Sequence, residues 1–194
     1  IDFELTANRG DLLSILGMAY EIGAIYDKEV KEPDLSHKEV GEDVNKEFTV
    51  EVETDNCKLF LAKMAKDVVI KESPDFIKNR LSASGIRPIN NVVDISNYVM
   101  IETGQPLHFH DADKLHGKLE VRMAENGEKL TTLDEIEREL DENDIVISDG
   151  TKAIGLAGVM GGMDTEITEN TKNIIIEAAI FDGVKVRKTS KKIL

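Results

Sequence analysis

The sequence predicts an α+β fold, on three observations. The first half carries helix-period apolar stripes and cap signals. From Leu107 onward, short apolar runs alternate with turn dipeptides. Helices come first and strands after, instead of alternating, which argues against a parallel α/β sheet.

Taken in order, Asp11 to Ile25 places Leu12, Ile15, Leu16, Ala19 and Ile22 at helical spacing, giving one apolar face. Residues 27 to 46 are rich in lysine and glutamate, contain Pro33 and Gly41, and read as a linker. Phe48 to Val52 alternates like a half-buried strand, and Leu59 to Ile70 reads as one or two interior strands. Ser73-Pro74-Asp75 predicts a helix start, with a hydroxyl cap, proline in the first turn and an acid facing the helix dipole. Gly85 is placed to end that helix, and a second runs from about Asp94 to Thr103 and closes at Gly104. The runs Leu119 to Met123, Ile145 to Ile147, Ala153 to Val159 and Ile174 to Ala179 are separated by Asn126-Gly127, Asp149-Gly150 and similar turns. They predict a largely antiparallel β-rich core. A last helix begins near Asp182.

Composition narrows the function classes. With 194 residues, 41% of them hydrophobic, and no long uncharged apolar run, the chain reads as a soluble globular protein without a membrane segment. No signal peptide is visible in Ile1-Asp2-Phe3-Glu4, and the single cysteine, Cys57, excludes an internal disulfide and fits a cytoplasmic location. Both ends read as boundaries of a piece of a longer protein. The net charge is −14, and Glu120 to Asp144 holds ten acids against three bases. That stretch reads as a solvated face. Lys185, Arg187, Lys188, Lys191 and Lys192 form the opposite extreme. An acidic protein is a poor general binder of polyphosphate, so contact with nucleic acid must be local.

Three groups of residues invite chemistry. His108, in Gly104-Gln105-Pro106-Leu107-His108, sits where a helix gives way to strands and is placed to move a proton or bond a substrate. The alternative is a histidine bonded to backbone at a corner. With His110, Asp111 and Asp113 it also invites a metal reading, but Ala112 and Lys114 occupy slots where a binuclear metallohydrolase pattern needs ligands, and no metal site is assigned. Gly155, Gly158, Gly161 and Gly162 let backbone approach a ligand, or simply relieve bends in a curved sheet. They match neither a phosphate loop nor a dinucleotide fingerprint. Glu177 interrupts the apolar run from Ile174 to Phe181 on the face of Ile175 and Ala179. A carboxylate there is costly unless it meets solvent, a partner or a cavity.

Residues 79–109 (NRLSASGIRPINNVVDISNYVMIETGQPLHF) resemble the bacterial phenylalanyl-tRNA synthetase beta-subunit family. The family signature there is G-I-R-x-I-x-x-V-V-D-x-(S/T)-N-Y-V-x-x-x-x-G-Q-P-x-H. The likeness continues through Ile154 to Gly162, Asn173 to Phe181 and, at the front, Leu5 to Asp11. It implies a B3/B4-type editing domain over 45–194, with helices around its β-rich core. Residues 1–44 would be the helical end and linker of a preceding domain. It further implies hydrolysis of the ester in tRNA(Phe) mischarged with tyrosine, by a positioned water. His108 and Arg87 would orient the ester and the tRNA end, Glu177 would read the tyrosine hydroxyl, and Gly161 and Gly162 would shape the pocket. No cofactor is implied for this domain, whereas the parent enzyme uses ATP and Mg2+. The implied partners are the 3′ end of tRNA(Phe), the rest of the beta subunit and the alpha subunit of a heterotetramer. In the family, further pocket residues follow the basic helix, so the pocket is expected to be truncated here. A non-catalytic tRNA-binding or subunit-interaction module of the same synthetase is the alternative.

Overall fold

The computed structural model describes residues 3–193. The expectations about the chain's ends fall on Ile1, Asp2 and Leu194, which lie outside the described residues. The chain divides into two compact units, residues 1–41 with 72–107, and 42–71 with 108–194.

The first unit is helical. Helix α1 (Ile15–Tyr26) follows a 3-10 turn over Gly10–Leu13. It is capped by Ser14, whose hydroxyl accepts from the Gly17 N–H. The segment after it has no regular structure up to a 3-10 turn at Val44–Lys46, as its charged composition requires. Helix α2 (Asp75–Ala83) ends ahead of Gly85, whose φ of +78° suits glycine. Helix α3 (Asn91–Thr103) closes on left-handed Gly104 and is capped by Asn90, whose side chain accepts from Val92 and Val93. Ser73 is not the cap expected for α2. The capping position belongs to Pro74, and the Ser73 hydroxyl instead donates to the buried Asp94 carboxylate. The other Asp94 oxygen accepts from the Ile89 N–H, so one acid fixes the approaches to both helices.

The second unit holds three sheets. One is five-stranded, in the order β1 (Thr49–Val52), β4 (Lys118–Met123), β7 (Ile145–Ser148), β8 (Ala153–Leu156) and β9 (Met160–Gly161). Another is three-stranded, with β10 (Ile174–Phe181) between β2 (Cys57–Ala65) and β3 (His108–Asp111). A ribbon of β5 (Lys129–Thr131) and β6 (Glu137–Glu139) completes them. Helix α4 (Gly183–Ile193) follows β10 after Asp182, which caps it. All pairings are antiparallel except β1 with β4.

Alternation along β7 explains the two cores. Ile145 and Ile147 face one side, with Leu119, Val121, Ile154, Phe60 and Ile175. Val146 faces the other, with Leu130, Leu140 and Leu156. A strand buried on both faces reads as a continuous apolar run. Two expectations fail. β1 is an exposed edge strand, and only the preceding Phe48 enters the core. β2 is also an edge strand, ending at Ala65: Phe60 packs inward while Leu59 and Leu61 are 46% and 57% exposed. Apolar composition in a strand does not reveal whether its second face is covered. The acidic stretch differs too, since Asp144 is buried and accepts from the Thr189 hydroxyl.

Candidate functional site

The site grows from the central strand of the three-stranded sheet. The β-branched run Ile174-Ile175-Ile176 fits a covered strand, and Ile174 and Ile175 are buried. Two residues on from Ile175, Glu177 shares its face and is only 7% exposed. It is paired with Ala62 on one side and His108 on the other. The period of two along β3 puts His108 and His110 on the same face, with their rings edge to face at 4.5 Å.

Register then decides the contacts. His110 lies opposite Ile175, which makes Glu177 its diagonal neighbour. Glu177 Oε2 is 2.9 Å from His110 Nε2, and His110 Nδ1 is 2.9 Å from the Thr165 hydroxyl. His110 has no exposed surface and Thr165 is buried, so both ring nitrogens are held within the protein. A neutral ring satisfies the chain when Thr165 O–H donates to Nδ1 and Nε2–H donates to the carboxylate. No further hydrogen bond of the Glu177 carboxylate, and none of the His108 ring, falls among the described residues. None of these atoms is sealed from solvent without a partner. Oε1 of Glu177 and the His108 nitrogens therefore keep some solvent exposure.

Gly161 completes the wall. A Cβ at this position would meet His108 Cε1 and lie 2.8 Å from His108 Nε2, with Leu133 Cδ1 at 3.2 Å. Only a glycine lets the imidazole rest on the β9 backbone. Leu133 is held beside it by its N–H donating to the Gly161 carbonyl at 3.0 Å. Gly162 does something else. Its Cβ would collide with the Ile154 carbonyl, while its N–H donates to that same oxygen at 2.8 Å. Gly162 is a packing glycine of the five-stranded sheet. We expect Gly162→Ala to cost on the order of 3 kcal/mol, because the obstacle is the Ile154 backbone carbonyl, which cannot yield. A thermal unfolding scan should register it as a drop of roughly 6–12 °C.

Burial, then the neighbouring His110, push the His108 pKa from 6.5 down to about 4, against a smaller opposing pull from Glu177. His108 is therefore neutral at physiological pH and able to donate and accept. Folding lowers this pKa, so the neutral ring contributes its stabilisation above pH 6.5 and loses it as pH falls toward about 4. A reaction needing neutral His108 should keep a level kcat/KM from neutrality down to about pH 5. It should halve near pH 4, where an unshifted histidine would halve it near 6.5. A pH-rate profile checks this.

Arg87 belongs to the first unit, between α2 and α3, exposed and without an ion pair among the described residues. Gly155 of β8 is the register partner of Gly161 in β9, and Gly158, with φ of +67°, meets Val186. Three residues of the metal reading carry hydrogen bonds within the protein. His110 is engaged as described, Asp111 accepts from the Thr171 hydroxyl at 2.6 Å, and Asp113 accepts from the Asn173 amide at 2.8 Å. Sequence reasoning missed Thr165 and Leu133 altogether, and it saw His110 only as a metal ligand.

The profile of the family described as B3/4 domain matches residues 56–194. The chain belongs to the B3/4 domain family. The B3/4 chain is 48% identical over 195 aligned positions, 100% of its length, to the phenylalanine–tRNA ligase beta subunit of Staphylococcus saprophyticus. It is 50% identical over 193 positions, 98% of its length, to the same subunit of Bacillus cereus. In both cases it spans 24% of the relative's length. Its fold is similar to an N-terminal fragment of the phenylalanyl-tRNA synthetase beta subunit from Pyrococcus horikoshii, with a TM-score of 0.54 at 18% identity. That match covers 95% of this B3/4 chain and 58% of the fragment. Among the described residues, no helix is long and apolar enough to cross a membrane.

Proposed function

We propose that this B3/4 domain is the editing part of a phenylalanine–tRNA ligase beta subunit, releasing tyrosine from tRNA(Phe) mischarged with it. The observation that carries this reading is Glu177, a carboxylate buried on the central strand, with one oxygen held by His110 and no hydrogen bond to the other among the described residues. An open acceptor in a desolvated place is what a phenolic hydroxyl requires. A phenylalanine ring would leave it unpaired. A synthetic site cannot reject tyrosine well by shape alone, since an added hydroxyl is a small perturbation, and a second site that bonds the hydroxyl restores the discrimination.

The chemistry asked of the site is modest because the ester is already activated. Water adds to the ester carbonyl, the tetrahedral intermediate collapses, and the C–O bond to the ribose breaks. The leaving ribose oxygen takes up one proton to become a hydroxyl, the other proton of the water passes to solvent, and tyrosine leaves as its carboxylate. The orientation of that water is assigned to His108, neutral and cross-strand from Glu177; a pKa of about 4 makes it a weak base and a good bonding partner. The role of Arg87 toward the tRNA end rests on the family resemblance. ATP and Mg2+ would serve amino-acid activation elsewhere in the parent synthetase. The remaining beta subunit and the alpha subunit are its expected partners, in the cytoplasm.

The test is release of labelled tyrosine from Tyr-tRNA(Phe) by the full-length subunit assembled with its partners, with Phe-tRNA(Phe) as control. Rapid loss of tyrosine with slow loss of phenylalanine supports editing. Binding of both without release would instead support a tRNA-binding module and overturn the hydrolytic reading.

A further inference from the structure

Helix α4 carries five cations and no acid in a chain of net charge −14. Its packing fixes which of them face outward. Val186 touches Gly158, the buried Thr189 donates to Asp144, and Ile193 joins the second core. Lys192 is held by Asp141 at 2.7 Å and Asp144 at 2.9 Å. These residues take one side of the helix. The opposite side presents Val184, Arg187, Lys188 and Lys191, at spacings of three, four and seven, and all four are exposed. No acid pairs with Arg187, Lys188 or Lys191 among the described residues. Several bases elsewhere in the unit are paired with acids: Arg122 with Glu128, Lys129 with Glu137, Arg138 with Asp134. Three unneutralised cations on one helix face, in an acidic protein, cost self-repulsion unless an anion answers them.

Chain connectivity ties this face to the site, because β10 carries Glu177 and runs through Asp182 directly into α4. We infer that Arg187, Lys188 and Lys191 bind phosphates of the RNA strand whose aminoacylated end is read at Glu177. An extended polyanion fits better than a single phosphate, since the three side chains project along the helix instead of converging. The inference rests on the editing reading for the identity of the strand, and on charge and packing for the binding itself.

The test is the triple variant Arg187→Ala/Lys188→Ala/Lys191→Ala in the full-length beta subunit assembled with its partners. Deacylation of Tyr-tRNA(Phe) is measured across a potassium chloride series. The KM for charged tRNA should rise with kcat unchanged. The slope of log(1/KM) against log salt should become shallower by about 2, at roughly 0.7 for each single-strand phosphate that the helix no longer neutralises. Tyrosyl-adenosine, which has no phosphates, should be hydrolysed as by the unaltered protein. An unchanged salt slope overturns the inference, and so does a variant whose subunits no longer assemble, which would make this face a protein interface. If the unaltered protein releases no tyrosine, the editing reading fails by itself. The same salt series read by direct tRNA binding then decides the role of α4.

Discussion

Replacing Glu177 with alanine is expected to lower release of tyrosine from Tyr-tRNA(Phe) on the order of a hundredfold or more, with little change for Phe-tRNA(Phe). The asymmetry follows from what the carboxylate offers. A phenol that finds no acceptor in a desolvated pocket leaves its own hydroxyl unpaired, whereas a phenylalanine ring loses nothing it had. Stability must be followed alongside, because the change also strips the partner from Nε2 of the fully buried His110. Glu177→Gln separates the two effects. Its amide oxygen still accepts from His110, and its NH2 can donate to the phenolic oxygen, so it should fold normally and retain part of the discrimination. Rates measured side by side on the two charged tRNAs decide the matter. If Glu177→Ala keeps the preference for tyrosine, the carboxylate does not read the hydroxyl.

What the sequence disclosed followed how local each determinant is. Helix C-termini were legible because Gly85 and Gly104 act on their own neighbours, whereas the start of α3 at Asn91, capped by Asn90, lies ahead of the Asp94 expected. β4, β7, β8 and β10 were legible because short apolar runs bounded by turns leave little else to form. The parallel pairing of β1 with β4 was not, since it joins residues about seventy positions apart in register, Thr49 with Lys118, and no local pattern encodes it. The misjudged burial of β2 has the same origin, because edge or centre is a property of the sheet. Within the site, an acid inside an apolar run marked Glu177 by composition alone. Its link to Thr165 through His110 required the β3–β10 register and a turn 55 residues from that histidine. Gly161 and Gly162 look alike in sequence, yet one faces a side chain and the other a carbonyl.

That difference makes Gly161→Ala the second large effect, and a clean one. The new methyl would fall on the far end of the His108 ring, which rotates away, whereas at Gly162 the obstacle is backbone. Gly161→Ala should therefore leave the unfolding temperature near that of the unaltered protein while moving the imidazole by an ångström or more. Displacement of that size costs on the order of a hundredfold in rate when the group positions a reactant. Charging of tRNA by the parent synthetase should continue, so Tyr-tRNA(Phe) should accumulate in a reaction supplied with tyrosine. A double-mutant cycle gives the decisive reading. In a His108→Ala background there is no ring to displace, and adding Gly161→Ala should slow deacylation no further. If the two losses multiply instead, Gly161 acts on the substrate directly, and the space it leaves belongs to the ester and not to His108.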